Sequence, residues 1–352
     1  PPRRVPSLRG AGGLGQGGGD EIATRATPAA LGAETWPTEL LVCPRDREGL
    51  RIEGETLACA HGHAYPYVDG IPVLVVDDLE PTQPGYWASP EQIEAVRGAQ
   101  PPAVTGDAVD PYVAELILGT HGNLYKHLSG GLTRYPIPDF PLAPGSGELL
   151  LDIGCNWGRW SISAARAGYR AVGIDPSFEA IVAARRIAQQ LGVQARYVVA
   201  DTRRLPFADA TFDVVFSYGV LQHLSKRDVS AAVDEIARTL KPGGYSWVQM
   251  PNALGVRSLY QLARRGFREG DRFEVRYWRP RELRRAFGAI GATELSTDGF
   301  FTLNPQKRDL DLLPRRYRAL VRTSEALRRL SGRARFLTAV ADSVNVRSAR
   351  RA

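Results

Sequence analysis

From residue 148 onward, short apolar runs alternate with longer amphipathic ones. "ELLLDIG", "RAVGID", "ARYVVAD", "FDVVFSY" and "YSWVQM" are brief and rich in Val, Ile, Leu and aromatic residues, so each reads as a buried strand. Between them the apolar positions recur at helical spacing over 161–168, over 177–191, and along the stripe Val229, Val233, Ile236, Leu240, which "KPGG" terminates. Strict alternation of strand and helix is the mark of βαβ units, and it predicts five parallel strands in an α/β domain over 148–352. Beyond them "PRELRRAFGAIG" predicts a helix and "ATELSTDGFFTL" a strand. An Arg-rich helical insert follows over about 303–337, and "ADSVNVRS" is the closing strand.

Upstream the pattern changes. "LLVCPRDREGLRIEGETLACAHGHAYPYVDGIPVLVVDD" reads as short strands broken by turn residues, a small β-rich module over 37–80 that ends in the apolar run "IPVLVV". Residues 81–111 turn to Pro, Gly, Gln and Ala and predict a loosely packed linker with one amphipathic stretch around Ile93 and Val96. Residues 112–147 start as a helix and continue with aromatics, histidines and prolines, which suits a cap over an active site. Residues 1–36, rich in Gly and Pro, cannot offset their ordering entropy and read as a disordered leader.

Composition narrows the class. Hydrophobic residues make up 43% and charged residues 24% of 352, as in a globular enzyme. No run has the length of a signal-peptide core or a membrane span, and a cytoplasmic protein is expected. Three cysteines, one of them Cys155 inside a turn, suit reduced thiols or a metal site better than a disulfide framework. The formal charge of +7 suits an anionic partner, whether nucleic acid, a phosphorylated substrate or a membrane surface, without choosing among them.

The chemistry concentrates in "LLLDIGCNWGRW". An apolar strand that breaks into a Gly-rich turn and opens a helix offers backbone N–H groups to a nucleotide-like cofactor. Gly154 and Gly158 flank Asn156, which stands where a dinucleotide fingerprint has its second glycine and which tolerates left-handed backbone. Asp152 would repel a pyrophosphate but accept from a positively charged group, so a cationic cofactor is favoured. Plainer readings stand beside this one: Asp175 as a cap of the helix in "DPSFEAIV", Asp201 as a turn residue, and Trp157 and Trp160 as core.

"LLLDIGCNWG", "AVGIDPS", "YVVADTRRLPF", "FDVVFSYGVLQHL" and "LKPGG", in this order over roughly 148–251, resemble the class I S-adenosylmethionine-dependent methyltransferases. The resemblance implies a Rossmann-like seven-stranded methyltransferase fold and S-adenosylmethionine as cofactor. It places Asp152 and the turn of Gly154, Cys155, Asn156 and Gly158 at the methionine end, Asp175 at the ribose, and Asp201 with Thr202 at the adenine. Ser217 and Tyr218 fall at the strand end that faces the transferred methyl. For a hydroxyl acceptor, His223, Tyr218, Tyr125, His127 and His121 are candidate bases, although His223 serves equally well as a bridge between strand end and helix. The segment "NLYKHLSGGLTRYP" is the better candidate for substrate contacts.

"SYGVLQH" stands where many amino-directed nucleic-acid methyltransferases carry an Asn/Asp-Pro-Pro-aromatic motif. This favours a small-molecule or glycan acceptor methylated on oxygen or carbon, with an RNA methyltransferase and a non-catalytic cofactor-binding scaffold as the alternatives.

In the β-rich module, Cys43, Asp46, Cys59 and His63 give C-x2-D and C-x3-H, followed by "YPYVDGIPVLV". This resembles the zinc-ribbon domains of the tRNA-methyltransferase activator family, with Asp46 in place of a usual cysteine and His61 as an alternative ligand. A zinc-bearing and a metal-free ribbon both remain open. In either case "IPVLVV" exposes more apolar and edge surface than so small a domain can hide, so the ribbon is expected to dock on the main domain.

Overall fold

The computed structural model describes residues 36–82, 89–120, 132–301 and 307–352. Four short strands come first, β1 (Arg51–Glu53), β2 (Thr56–Ala58), β3 (Ala64–Val68) and β4 (Ile71–Leu74), then helices α1 (Pro90–Ala99) and α2 (Pro111–Thr120). The alternating region follows as β5 (Leu149–Ile153), α3 (Arg159–Arg166), β6 (Arg170–Asp175), α4 (Phe178–Gln190), β7 (Ala195–Ala200), β8 (Phe212–Ser217), α5 (Lys226–Thr239) and β9 (Leu240–Pro251). Next come α6 (Val256–Arg264), α7 (Pro280–Phe287), β10 (Gly291–Gly299), α8 (Arg315–Ser331), α9 (Phe336–Val340) and β11 (Ser343–Arg350).

All five residues of β5 are buried, and it lies at the centre of the sheet, parallel to β6 on one side and β8 on the other. The parallel set extends to β7 and β9, while β11 inserts antiparallel between β9 and β10. The resulting order β7-β6-β5-β8-β9-β11-β10 is the seven-stranded Rossmann-like sheet expected from the sequence. Helices cover both faces: Ile162, Phe178, Ile181 and Ile187 pack on one, and Val229, Val233, Ile236 and Phe287 on the other. Each such side chain contributes roughly 1.5–3 kcal/mol by leaving water. Because the chain leaves β5 toward β6 and later resumes at β8, a crevice opens at the carboxyl ends of these strands, where open α/β sheets bind ligands.

The β-rich module is continuous with this sheet. β1 to β4 pair antiparallel in succession, and β4 then pairs parallel with β7, placing Val73 beside Val199 and Leu74 beside Ala200. Leu41 bridges Phe207, and the Val42 N–H donates to the Pro206 carbonyl at 3.0 Å. Ile71 and Val73 share a buried cluster with Val113 and Ile117 of α2, so the apolar run is covered by the same chain.

Two features depart from the pattern reading. The described part of 81–111 is largely exposed but anchored at particular points: Ser89 and Gln92 form a capping box on α1, and Ile93 is buried. Arg186 of α4 donates to the Pro101 and Pro102 carbonyls at 3.0 and 3.2 Å, and Gln190 to those of Gly106 and Ala108 at 2.8 and 2.7 Å. Two long side chains thus satisfy backbone groups that low hydrophobicity left without a visible partner. The second departure is α6, which no core-facing periodicity predicts. No helix among the described residues is long and apolar enough to cross a membrane.

Candidate active site

The turn after β5 depends on left-handed backbone. Gly154, Asn156 and Gly158 have φ of +70°, +49° and +81°. A Cβ at Gly154 would also collide with the Val220 side chain, so only glycine fits there. Asn156 occupies its position as a residue type that tolerates αL, and its Oδ1 accepts the Trp157 N–H at 2.8 Å. The Cys155 thiol points into the core, where burial pushes its pKa up, so only its backbone faces the turn. Trp157 is fully buried, while Trp160 packs at 5.2 Å from Phe216 and 4.7 Å from Tyr218.

Acidic residues stand at three successive strand ends. Asp152 is buried and accepts from the Ser161 hydroxyl at 2.7 Å; burial pushes its carboxyl up to about 7. Asp175 accepts the Asn156 N–H at 3.1 Å and the Ser177 N–H at 3.0 Å, while Ser177 itself caps α4. Asp175 therefore ties the glycine turn to the next strand end. Asp201 is gripped by Arg203: Nε and Nη2 donate to its two oxygens at 3.0 and 2.8 Å, and the Arg203 N–H adds a bond at 2.7 Å. The sequence reading missed this partner, although Arg203 lies two residues away in "DTRRLPF". Beside the pair, the buried Thr202 hydroxyl finds no protein partner among the described residues.

At the end of β8 the two expected residues separate. The Ser217 hydroxyl donates to the Ile153 carbonyl at 3.1 Å, so its side chain ties β8 to β5. Tyr218 donates to both oxygens of Asp298 at 3.1 Å. Ser343 also donates to Asp298, at 2.8 Å, and the Gln249 amide donates to Ser343. Part of Asp298 remains accessible, yet the enclosure of its carboxylate raises its pKa above the ordinary value. Asp298 was not singled out from sequence; the available signal was one more acid at a strand end, in "STDGF".

His223 serves the fold. Its Nδ1 lies 2.8 Å from the Phe273 carbonyl, its Nε2 3.2 Å from the Gln222 amide, and its ring stacks on Phe273 at 4.0 Å. Burial lowers its pKa, so it is neutral, with Nδ1 the donor and both nitrogens engaged. Tyr125, His127 and His121 lie outside the described residues.

Away from the crevice, one donor atom each from Cys43, Asp46, Cys59 and His63 falls within a 4.8 Å group. Cys43 Sγ and Cys59 Sγ each lie 3.5 Å from His63 Nδ1, and Cys59 Sγ lies 3.4 Å from Asp46 Oδ2. Tetrahedral zinc with bonds of about 2.0–2.3 Å requires donor separations of about 3.3–3.8 Å, so these three pairs are already at that spacing. The exception is His63 Nδ1 to Asp46 Oδ2, at 2.9 Å. His61 lies 3.0 Å from the same Asp46 oxygen. The Glu48 N–H holds the Asp46 carboxyl well below the usual range.

A parallel sheet whose glycine turn underlies successive strand-end acids defines an enzyme that binds a nucleoside cofactor with a cationic end. Residues 150–244 match the family model described as a methyltransferase domain. The chain is 32% identical over 181 residues to the ubiquinone biosynthesis O-methyltransferase of Rhizobium etli, covering 48% of this chain and 71% of that protein. It is 36% identical over 114 residues to the sterol 24-C-methyltransferase of Eremothecium gossypii, covering 30% of each. A solved S-adenosylmethionine-dependent methyltransferase from Methanosarcina mazei is similar at a TM-score of 0.43 and 18% identity, covering 59% of this chain and 94% of that one. The chain belongs to the class I S-adenosylmethionine-dependent methyltransferases. It is an enzyme that uses S-adenosylmethionine, and the glycine-only turn fits that cofactor.

Proposed function

We propose that this methyltransferase acts on an oxygen or carbon of a small or glycan-type metabolite, with a hydroxyl oxygen favoured. The observation that supports the choice is the Asp298 carboxylate, held by Tyr218 and Ser343 beside the strand end that the family resemblance would turn toward the transferred methyl. S-adenosylmethionine supplies a methyl already activated by its sulfonium, so the protein has to bind, align and accept a proton. Asp152 would accept from the ammonium of the methionine end, Asp175 from the ribose hydroxyls, and the Thr202 hydroxyl, beside the Arg203-bound Asp201, would meet the adenine edge. Asp298 would take the proton of the acceptor hydroxyl as that oxygen gains its methyl, and Tyr218 would position it. A pKa raised by enclosure makes Asp298 a stronger base than an exposed carboxylate. The relatives named for O- and C-methylation support the same reading.

The test is to incubate the enzyme with methyl-labelled cofactor and fractionated metabolites, glycans and RNA. Label is expected in a metabolite or glycan fraction as a methyl ether. Label confined to RNA, with RNA affinity that falls steeply as salt is raised, would overturn the assignment.

We propose further that Cys43, Asp46, Cys59 and His63 hold a zinc ion that closes the ribbon. Its role there would be structural, since all four positions of a tetrahedral ion are filled by protein.

A further inference from the structure

Every large hydrophobic side chain that is strongly exposed among the described residues falls in one of two stretches, 254–273 or 330–340. In the first, Val256, Leu259, Tyr260 and Ala263 of α6 are all exposed. Their spacing of three and four residues places them on one stripe of the helix, turned to solvent and not to the core. Phe267, just past the helix, is 71% exposed. Arg257 and Arg264 flank the stripe, and the Arg264 guanidinium lies over the Tyr260 ring at 5.8 Å.

The second stretch ends beside the first. Asp342, just past α9, accepts the Arg257 and Ser258 N–H groups at 2.7 and 3.0 Å and so caps the start of α6. Asn252 donates to the Ala339 and Ala341 carbonyls at 2.9 and 2.8 Å. Phe336, 71% exposed, and Val340 therefore belong to the same side of the molecule as the α6 stripe. Residues 254–273 and 330–340 together carry seven arginines against two acids, a net of +5 out of the chain's +7.

We propose that this face docks on an anionic lipid bilayer, with the α6 stripe, Phe267 and Phe336 seated among the acyl chains and the arginines meeting headgroup phosphates. An apolar stripe flanked by arginines on a short surface helix has the composition of an interfacial element. Charge argues against a second copy of the chain as the occupant, since it would bring two strongly positive faces together. An RNA backbone would satisfy the arginines but leave the valine, leucine and phenylalanine side chains without a role. Ser343, the residue after Asp342, donates to Asp298, so the docking face borders the acceptor side. Resting on the proposed function, this gives the acceptor an amphiphilic character, with a lipid tail held in the bilayer.

The test is sedimentation of the full chain with vesicles of phosphatidylcholine, alone or mixed with phosphatidylglycerol. Binding is expected to the mixed vesicles only, and to weaken as salt is raised. Leu259→Glu with Phe267→Glu should reduce it by about tenfold or more, and Arg264→Glu with Arg268→Glu should reduce it as well. Melting temperature and S-adenosylhomocysteine affinity should be unchanged in both variants. The idea fails if the wild type ignores anionic vesicles at low salt, or if both variants bind as the wild type does. It fails equally if the face proves to be a dimer contact, with a dimeric wild type made monomeric by the glutamates, or if RNA competes off the vesicles. None of these readouts requires turnover, so a wrong acceptor and a wrong docking face give different results.

Discussion

Tyr218 at the end of β8 and Asp298 at the end of β10 are joined by hydrogen bonds at 3.1 Å, although β9 and β11 lie between their strands. Gln249 and Ser343, from those two strands, complete a row of polar groups along the sheet's end. If Asp298 is the base, Asp298→Asn should lower kcat by on the order of 10²-fold or more while S-adenosylhomocysteine affinity stays unchanged. The rate should fall as pH drops through the pKa of Asp298, above the usual carboxylate range, because only the ionised form accepts a proton. The Tyr218 hydrogen bond favours that ionised form, so Tyr218→Phe should move the acid limb to higher pH. A pH profile that neither substitution alters would remove Asp298 from the chemistry.

If Asp152 meets the cationic end of the cofactor, as proposed, binding should be sensitive to pH near neutrality. Burial pushes its carboxyl up to about 7, with Asp175 adding to the rise and Ser161 and Arg159 opposing it. For stability the sign is unfavourable: the fold prefers the protonated form, so the contribution present below pH ~4 is lost as pH rises toward 7. Binding runs the other way. A cationic ligand end favours the ionised carboxylate, so affinity for S-adenosylhomocysteine should weaken as pH falls below about 7 and level off above it. Calorimetry in buffers of different ionisation enthalpy should detect proton release near pH 7. Asp152→Asn should bind more weakly and lose this pH dependence; retention of the dependence would assign it to another group.

The sheet was legible because strands such as "ELLLDIG" are buried on both faces and show as continuous apolar runs, with polar turns marking their carboxyl ends. The left-handed turn around Asn156 was legible for the same local reason. Contacts between residues distant in sequence left no such mark. The separation of 80 residues between Tyr218 and Asp298 carries no periodic signal of their meeting, and the parallel pairing of β4 with β7 joins segments more than a hundred residues apart. Ser217 and His223 lay at the right strand end and turn, but their side chains are spent on the Ile153 and Phe273 backbones, which position alone did not indicate. The helix α6 escaped because its apolar stripe faces outward, where core periodicity gives no guide.

Arg203 and Asp201 form a buried pair, with side chains 6% and 5% exposed, and Arg203 also reaches Asp228 at 3.3 Å and the Glu80 carbonyl at 2.8 Å. Removing the guanidinium leaves a buried carboxylate short of its main partner, which costs about 3–5 kcal/mol. Arg203→Ala should therefore lower the melting temperature by several degrees. Adding Asp201→Asn should recover part of that loss, because the uncompensated charge is gone. If adenine binding also needs the Asp201 carboxylate, the double variant should regain stability without regaining cofactor affinity; recovery of both would make the pair purely structural.

The ribbon's fate under metal removal follows from how it is fastened. Cys43 and Cys59 lie 3.5 Å from His63, and the Val42 N–H, next to Cys43, bonds the Pro206 carbonyl of the main domain. Strain from an open metal site would reach the sheet through this bond and through the β4–β7 pairing. The purified protein should hold one equivalent of zinc, lost in Cys43→Ser with Cys59→Ser and accompanied by a lower melting temperature. Cys43 must shed its proton to ligate, and burial raises its pKa, so chelators should strip the metal more readily as pH falls. His61, within reach of Asp46 but facing solvent, distinguishes ligand from neighbour: His61→Ala should keep the metal, whereas His63→Ala should release it. Protein without zinc, and with a melting temperature indifferent to both cysteine substitutions, would make the ribbon a metal-free extension of the sheet.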